Sequence, residues 1–160
     1  MILAGAPGME VHWQCVSFDQ LDTHSLYRLL QLRTQVFVVE QNCPYQDIDG
    51  KDFEAWHVLG FQAGELVAVA RILPPQQAGT AVSIGRVITH PNARRQGLGV
   101  ALMQEALFES EKRFPDSRIS LDAQAHLAPF YGRFGFVAAG EIYLEDGIEH
   151  IMMVKRSRAD

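Results

Sequence analysis

The chain is poor in cysteine: Cys15 and Cys43 are the only two in 160 residues, which excludes a disulfide-stapled secreted scaffold. Their separation fits no zinc-ligand spacing, and both are read as reduced thiols without a catalytic role. Long apolar runs are also missing. Nothing approaches the roughly 20 residues of a membrane helix, so no membrane partner is expected. Met1-Ile2-Leu3-Ala4-Gly5-Ala6 lacks the basic flank and length of a signal peptide, which points to a cytoplasmic protein. Cations are in deficit too, with 14 Lys and Arg against 19 Asp and Glu. A net charge of −5 argues against nucleic acid as a partner, because phosphate binding needs concentrated positive charge.

What remains is the composition of an ordinary soluble globule, 48% hydrophobic and 21% charged. Its length suits one domain over residues 1–160. The acid is uneven. Glu40, Asp47, Asp49, Asp52 and Glu54 stand against Lys51 alone, a local charge of −4 that reads either as a rim attracting a cationic ligand or as a solvated loop. A calcium loop is excluded by register: counted from Asp47, glycine is due where Asp52 lies and the bidentate glutamate where Val58 lies.

Periodicity gives the elements. Val11 to Ser17 reads as a strand after a frayed end, and Leu26, Leu29, Leu30 and Phe37 follow helical spacing from about Asp22 to Gln41. Arg33 falls on that apolar face. Asn42 to Glu54 reads as a loop, and His57 to Phe61 and Leu66 to Leu73 as a hairpin around Gln62-Ala63-Gly64-Glu65. Ala81 to Thr89 is a strand, Gly97 to Phe114 a helix stopped by Pro115, Arg118 to Ala123 a strand, and His126 to Phe134 a short helix. Phe136 to Ala139 is extended, and Asp146-Gly147 centres a last hairpin. Hairpins mixed with strand-helix-strand units indicate an α/β sheet of mixed direction, covered by helices.

The stretch Ile84-Gly85-Arg86-Val87-Ile88-Thr89-His90-Pro91-Asn92-Ala93-Arg94-Arg95-Gln96-Gly97-Leu98-Gly99 is a strand, a tight turn and a helix start. Exposed N–H groups at such a helix start favour an anion such as pyrophosphate. A P-loop is excluded because no Lys follows Gly97 or Gly99, and a dinucleotide fingerprint because Leu102 stands where a small residue is required.

Arg94-x-x-Gly97-x-Gly99 after this strand resembles the acyl-CoA-binding motif of the GNAT superfamily of N-acyltransferases. Leu121-Asp122-Ala123-Gln124 followed by Phe130-Tyr131-Gly132-Arg133-Phe134-Gly135-Phe136 extends the likeness in the right order. Arg33…Val36-Phe37-Val38-Val39-Glu40-Gln41-Asn42-Cys43-Pro44-Tyr45, then Asp47-x-Asp49-Gly50, His57 and Glu145-Asp146-Gly147-Ile148-x-His150, resemble its ElaA-like branch. The resemblance implies a mostly antiparallel sheet, splayed at the cofactor site and flanked by helices. It implies acetyl-CoA as donor, a small-molecule or peptide amine as acceptor and direct attack in a ternary complex, and it is compatible with a homodimer. A CoA-binding module with little turnover stays open as the alternative.

By the same resemblance, the pantetheine arm would pair with the backbone of Val87, Ile88 and Thr89. The pyrophosphate would rest on Arg94 and the N–H groups of Arg95, Gln96, Gly97, Leu98, Gly99 and Val100, and Gln124 would meet the pantetheine amides. Tyr131 would protonate the departing thiolate. A lysine-like amine is mostly ammonium at pH 7 and must lose a proton. Glu40, His57 and His150 are candidate bases, and the sequence selects none. Arg33, Arg71 and Arg86 in apolar surroundings call for carboxylate partners, either within the chain or on the acceptor.

Overall fold

The computed structural model describes residues 10–157; the frayed end expected before Val11 lies outside them but for Glu10. Strand β1 (Val11–Ser17) leads into helix α1 (Thr23–Arg33), whose start is fixed by the Asp22 carboxylate accepting the Ser25 N–H at 2.7 Å. The helix predicted to reach Gln41 changes pitch at its end. Thr34–Glu40 is a π-helical stretch in which Gln41 N–H donates to Val36 O and Cys43 N–H to Val38 O, each five residues back. The wider turns alter the helical phase, and Val36, Phe37 and Gln41 face a cleft described below.

Strands β2 (Trp56–Gln62) and β3 (Glu65–Leu73) form the expected hairpin. Its two turn residues, Ala63 and Gly64, both have positive φ, a conformation that matches the strands' twist. Strand β4 (Val82–Thr89), helix α2 (Leu98–Arg113), strand β5 (Ile119–Gln124) and helix α3 (Ala128–Gly132) follow. The chain continues with β6 (Val137–Ala138), β7 (Tyr143–Glu145) and β8 (Ile148–Lys155), and Asp146-Gly147 turns the β7–β8 hairpin with positive φ at both residues.

The sheet order is β1-β2-β3-β4-β5-β8-β6, with β7 also on β8. All pairs are antiparallel except β4–β5. Both faces are covered. Leu102, Met103 and Ala106 of α2 pack on Val58, Ala70, Ile72, Ile84 and Leu121, while Leu29, Leu32 and Val36 pack on Leu59, Val69 and Ile88. Adjacent residues of β2 therefore enter opposite cores, the pattern of a strand buried on both sides. Among the described residues, no helix is long and apolar enough to cross a membrane.

Two irregularities open this sheet. Strands β4 and β5 pair only at Val82↔Ile119 and Ser83↔Ser120 and then diverge. In the β3–β4 ladder, Val69↔Ile88 is followed by Arg71↔Gly85, so β4 carries one extra residue at a bulge. Arg86 sits in it with φ 50°, a left-handed conformation that costs a non-glycine residue about 1–3 kcal/mol unless contacts hold it there.

Candidate active site

The divergence of β4 and β5 leaves a cleft of about 860 Å³, within the range of ligand pockets. Of the residues singled out from sequence, Val87, Ile88, Thr89, Arg94, Gln124 and Tyr131 line it together. Arg95, Gln96 and Gly97 form the exposed turn just beyond Arg94, and Leu98, Gly99 and Val100 begin α2. Gly97 caps the helix at φ 73°, with no atom within 4 Å of where a Cβ would stand. The first N–H groups of α2 are thus presented beside the cleft mouth, where a helix N-terminus attracts negative charge.

Tyr131 of α3 is buried, and burial pushes its phenol up to about 12. It therefore remains protonated and is a hydrogen-bond donor over the whole working range. Gln124 ends β5 and donates from Nε2 to Gln41 Oε1 at 3.3 Å, spanning the cleft from one wall to the other.

The acidic segment corrects both expectations raised for it, an acceptor-attracting rim and a solvated loop. Asp47 and Asp52 are buried and, with Asp49, meet three arginines. Arg33, fully buried at the end of α1, donates from Nε to Asp47 Oδ2 at 2.8 Å and from Nη1 to Asp52 Oδ1 at 2.6 Å. Arg71 of β3 bonds Asp49 through Nη1 at 2.9 Å and Nη2 at 3.0 Å, and reaches Asp52 at 3.2 Å. Arg86 donates from Nε to Asp47 Oδ1 at 2.7 Å, and its guanidinium lies 5.7 Å from the Tyr45 ring centroid. Three cations facing three anions leave no net charge among them. The structural ion-pair reading of these arginines is the one realised, and the strained Arg86 backbone is held by it.

Protonation follows from the pairing. Burial alone would raise Asp49, but the Arg71 hydrogen bonds, the Lys51 N–H and the charges of Arg71 and Arg86 hold it at about 2. Burial opposes ionisation of Asp52 too, yet the Arg33 hydrogen bond and charge keep it below the usual carboxylate range. Arg33 is likewise raised, its burial outweighed by Asp52 and Asp47.

Of the proposed bases, His57 departs from expectation, and Glu40 is found in an ion pair. His57, 1% exposed, is in the interior and absent from the cleft wall. Its Nε2 lies 3.0 Å from the Asp52 carbonyl, its Nδ1 is buried without a partner, and burial lowers its pKa, so it is a neutral internal residue. Glu40 is half-exposed and bound at 2.7 Å to Nη2 of Arg94, at the edge of the cleft. Burial pushes the Cys15 thiol up, and the Cys43 thiol, on the cleft wall, donates to the Asp146 carbonyl at 3.6 Å. Among the described residues no group of three or more His, Cys, Asp or Glu is placed to hold a metal.

Beyond Gln124 and Tyr131, the sequence assigns a role on the opposite wall to His150 alone. Asp122, His126, Glu145, Asp146 and His150 line it, from β5, the segment before α3 and the β7–β8 hairpin. Asp122 is two residues from Gln124 on β5 and so shares its face, a period-two signal that could have marked it.

Known proteins share this architecture. A family model described as the acetyltransferase (GNAT) domain matches residues 20–157. Protein ElaA of Escherichia coli (strain K12) is 48% identical over 147 residues, covering 91% of this chain and 96% of that protein. The crystal structure of Escherichia coli ElaA has a TM-score of 0.88 at 46% identity, over 92% of this chain and 100% of that one. That of an acyl-CoA N-acyltransferase from Pseudomonas aeruginosa has a TM-score of 0.87 at 47% identity, over 91% and 99%. The fold and cleft are thus those of the acyltransferase class. The chain belongs to the GNAT acetyltransferase family, in its ElaA-like branch.

Proposed function

We propose that this protein transfers an acetyl group from acetyl-CoA to a primary amine by direct attack within a ternary complex. The observation that carries this reading is the parting of β4 and β5, which leaves the edge of β4 beyond Ser83 without a strand partner in a cleft of ligand size. An extended pantetheine arm can take that place through main-chain hydrogen bonds to Val87, Ile88 and Thr89. The N–H groups of Arg95 through Val100 and the Arg94 guanidinium would hold the pyrophosphate, and Gln124 a pantetheine amide. Glu40 then serves to hold Arg94 at the mouth of the cleft.

Tyr131 donates to the leaving sulfur. A phenol raised to about 12 facing a thiol of ordinary pKa about 8.5 makes complete proton transfer uphill, so its hydrogen bond does the stabilising as charge develops. A backbone N–H of β4 near Ile88 would serve the oxyanion. The similar Pseudomonas aeruginosa protein, described as an acyl-CoA N-acyltransferase, supports the donor class.

Calorimetric titration with acetyl-CoA, with ATP and NAD as controls, tests the reading. Selective binding of acetyl-CoA is expected, followed by thiol release when primary amines are supplied. Equal affinity for all three, or no binding, would withdraw it.

A further inference from the structure

His150 differs from the other two candidate bases in where it points and which nitrogen is free. It stands on β8 directly opposite Gln124 of β5, so the two share a sheet face, and both line the cleft. Its Nδ1 lies 2.8 Å from the Ile148 carbonyl. A carbonyl oxygen has no proton to give, so Nδ1 carries the hydrogen and Nε2 keeps its lone pair. The ring is stacked on Tyr143 of β7 with centroids 6.0 Å apart, and Tyr143 is itself fixed by donating from its hydroxyl to Asp122 Oδ1 at 2.6 Å. Ring orientation and tautomer are thus set by two separate contacts. The acidic side chains on this wall are Asp122 of β5 and Glu145 and Asp146 of the hairpin, none in an ion pair with Arg33, Arg71, Arg86 or Arg94, with His126 beside them. Such surroundings favour an arriving ammonium.

We infer that His150 is the general base of the transfer reaction, taking a proton at Nε2 from the ammonium of the acceptor. This rests on the acetyltransferase reading above. The first ammonium proton goes to Nε2 and on to solvent. The freed nitrogen pair forms the C–N bond at the thioester carbonyl, and the C–S bond breaks as the tetrahedral centre collapses. The second nitrogen proton leaves to solvent, and the departing thiolate, stabilised by the Tyr131 hydrogen bond, takes one from solvent, leaving one hydrogen on the amide. His57, with the opposite nitrogen protonated and its lone pair buried away from the cleft, cannot perform this step.

Two nucleophiles separate base catalysis from packing. Benzylamine is mostly ammonium at pH 7 and needs the base, whereas hydroxylamine is mostly neutral and does not. His150→Gln is expected to slow acetyl transfer to benzylamine about a hundredfold while changing transfer to hydroxylamine little. Equal loss for both, or no loss, would overturn the assignment. In the unmodified protein, nitrogen-15 NMR of the imidazoles should show a pyridine-type Nε2 and a pyrrole-type Nδ1 for His150; the reverse tautomer would also overturn it. Should the parent protein bind no acetyl-CoA, the transferase reading itself fails. Intact binding with equal loss removes only His150.

Discussion

Two charged segments flank the cleft and use their charge in opposite ways. Asp47, Asp49 and Asp52 are turned onto Arg33, Arg71 and Arg86, while residues 94–97 stay at the surface, Arg94 ion-paired with Glu40 and Arg95 exposed at φ 69°. The first has spent its charge on holding a wall, whereas the second keeps donors available beside a helix start. Charge density in a sequence therefore says little about ligand binding until the partners are known.

The largest test of this contrast is Arg33→Met, which leaves Asp47 and Asp52 without their shared buried partner. Urea unfolding should show a loss of about 3–5 kcal/mol. Arg95→Ala should stay within about 0.5 kcal/mol of the parent. Comparable losses would erase the distinction between the two segments.

Next comes Tyr131→Phe, expected to lower kcat about a hundredfold with acetyl-CoA affinity nearly unchanged. Steady-state rates alongside calorimetry would decide it, since an equal loss in both would make the residue packing alone. Gly97→Val comes third. It forces a β-branched side chain into φ 73° and should weaken acetyl-CoA binding about tenfold by displacing the helix start. Unchanged affinity would detach the turn from the binding site.

The smallest effect is on acid stability. A carboxylate held at about 2 when folded, against about 3.9 unfolded, adds stability that is complete above the unfolded value and fades as pH falls toward 2. Asp52, lowered for the same reason, acts in the same direction. His57, lowered by burial, has the same sign from about 6.5 downward, because the unfolded chain takes up its proton first. Thermal unfolding from pH 7 to 3 should show a falling Tm, with a shallower slope below pH 4 in Asp49→Asn.

Local signals made most of the fold legible. Asp146-Gly147 and Gly64 mark turns whose geometry is decided within four residues, and Gly97 marks a helix start the same way. That Val87, Ile88, Thr89 and Arg94 share one wall of the cleft followed too, because they lie on one continuous stretch. The inward loop did not, since Arg33 meets Asp47 across 14 positions and Arg86 meets it across 39. No periodicity records such partners. His57 was misplaced for a related reason: β2 is buried on both faces, so an ionisable residue there carries no alternation to show which way it points. The π-helical end of α1 has no sequence mark at all, and it is what turns Val36, Phe37 and Gln41 toward the cleft.

Only two rungs of pairing join β4 to β5, so the molecule is two half-sheets with a seam between them. A ligand lying along the seam completes the missing ladder and behaves as a removable strand. Donor binding should therefore fasten the amino-terminal half to the carboxyl-terminal half. Saturation at a hundred times Kd would add about 2.7 kcal/mol of stability to the whole chain. On the proposed reading, a donor that has given up its acyl group would have to slide out again, and each turnover would unfasten the sheet it had completed.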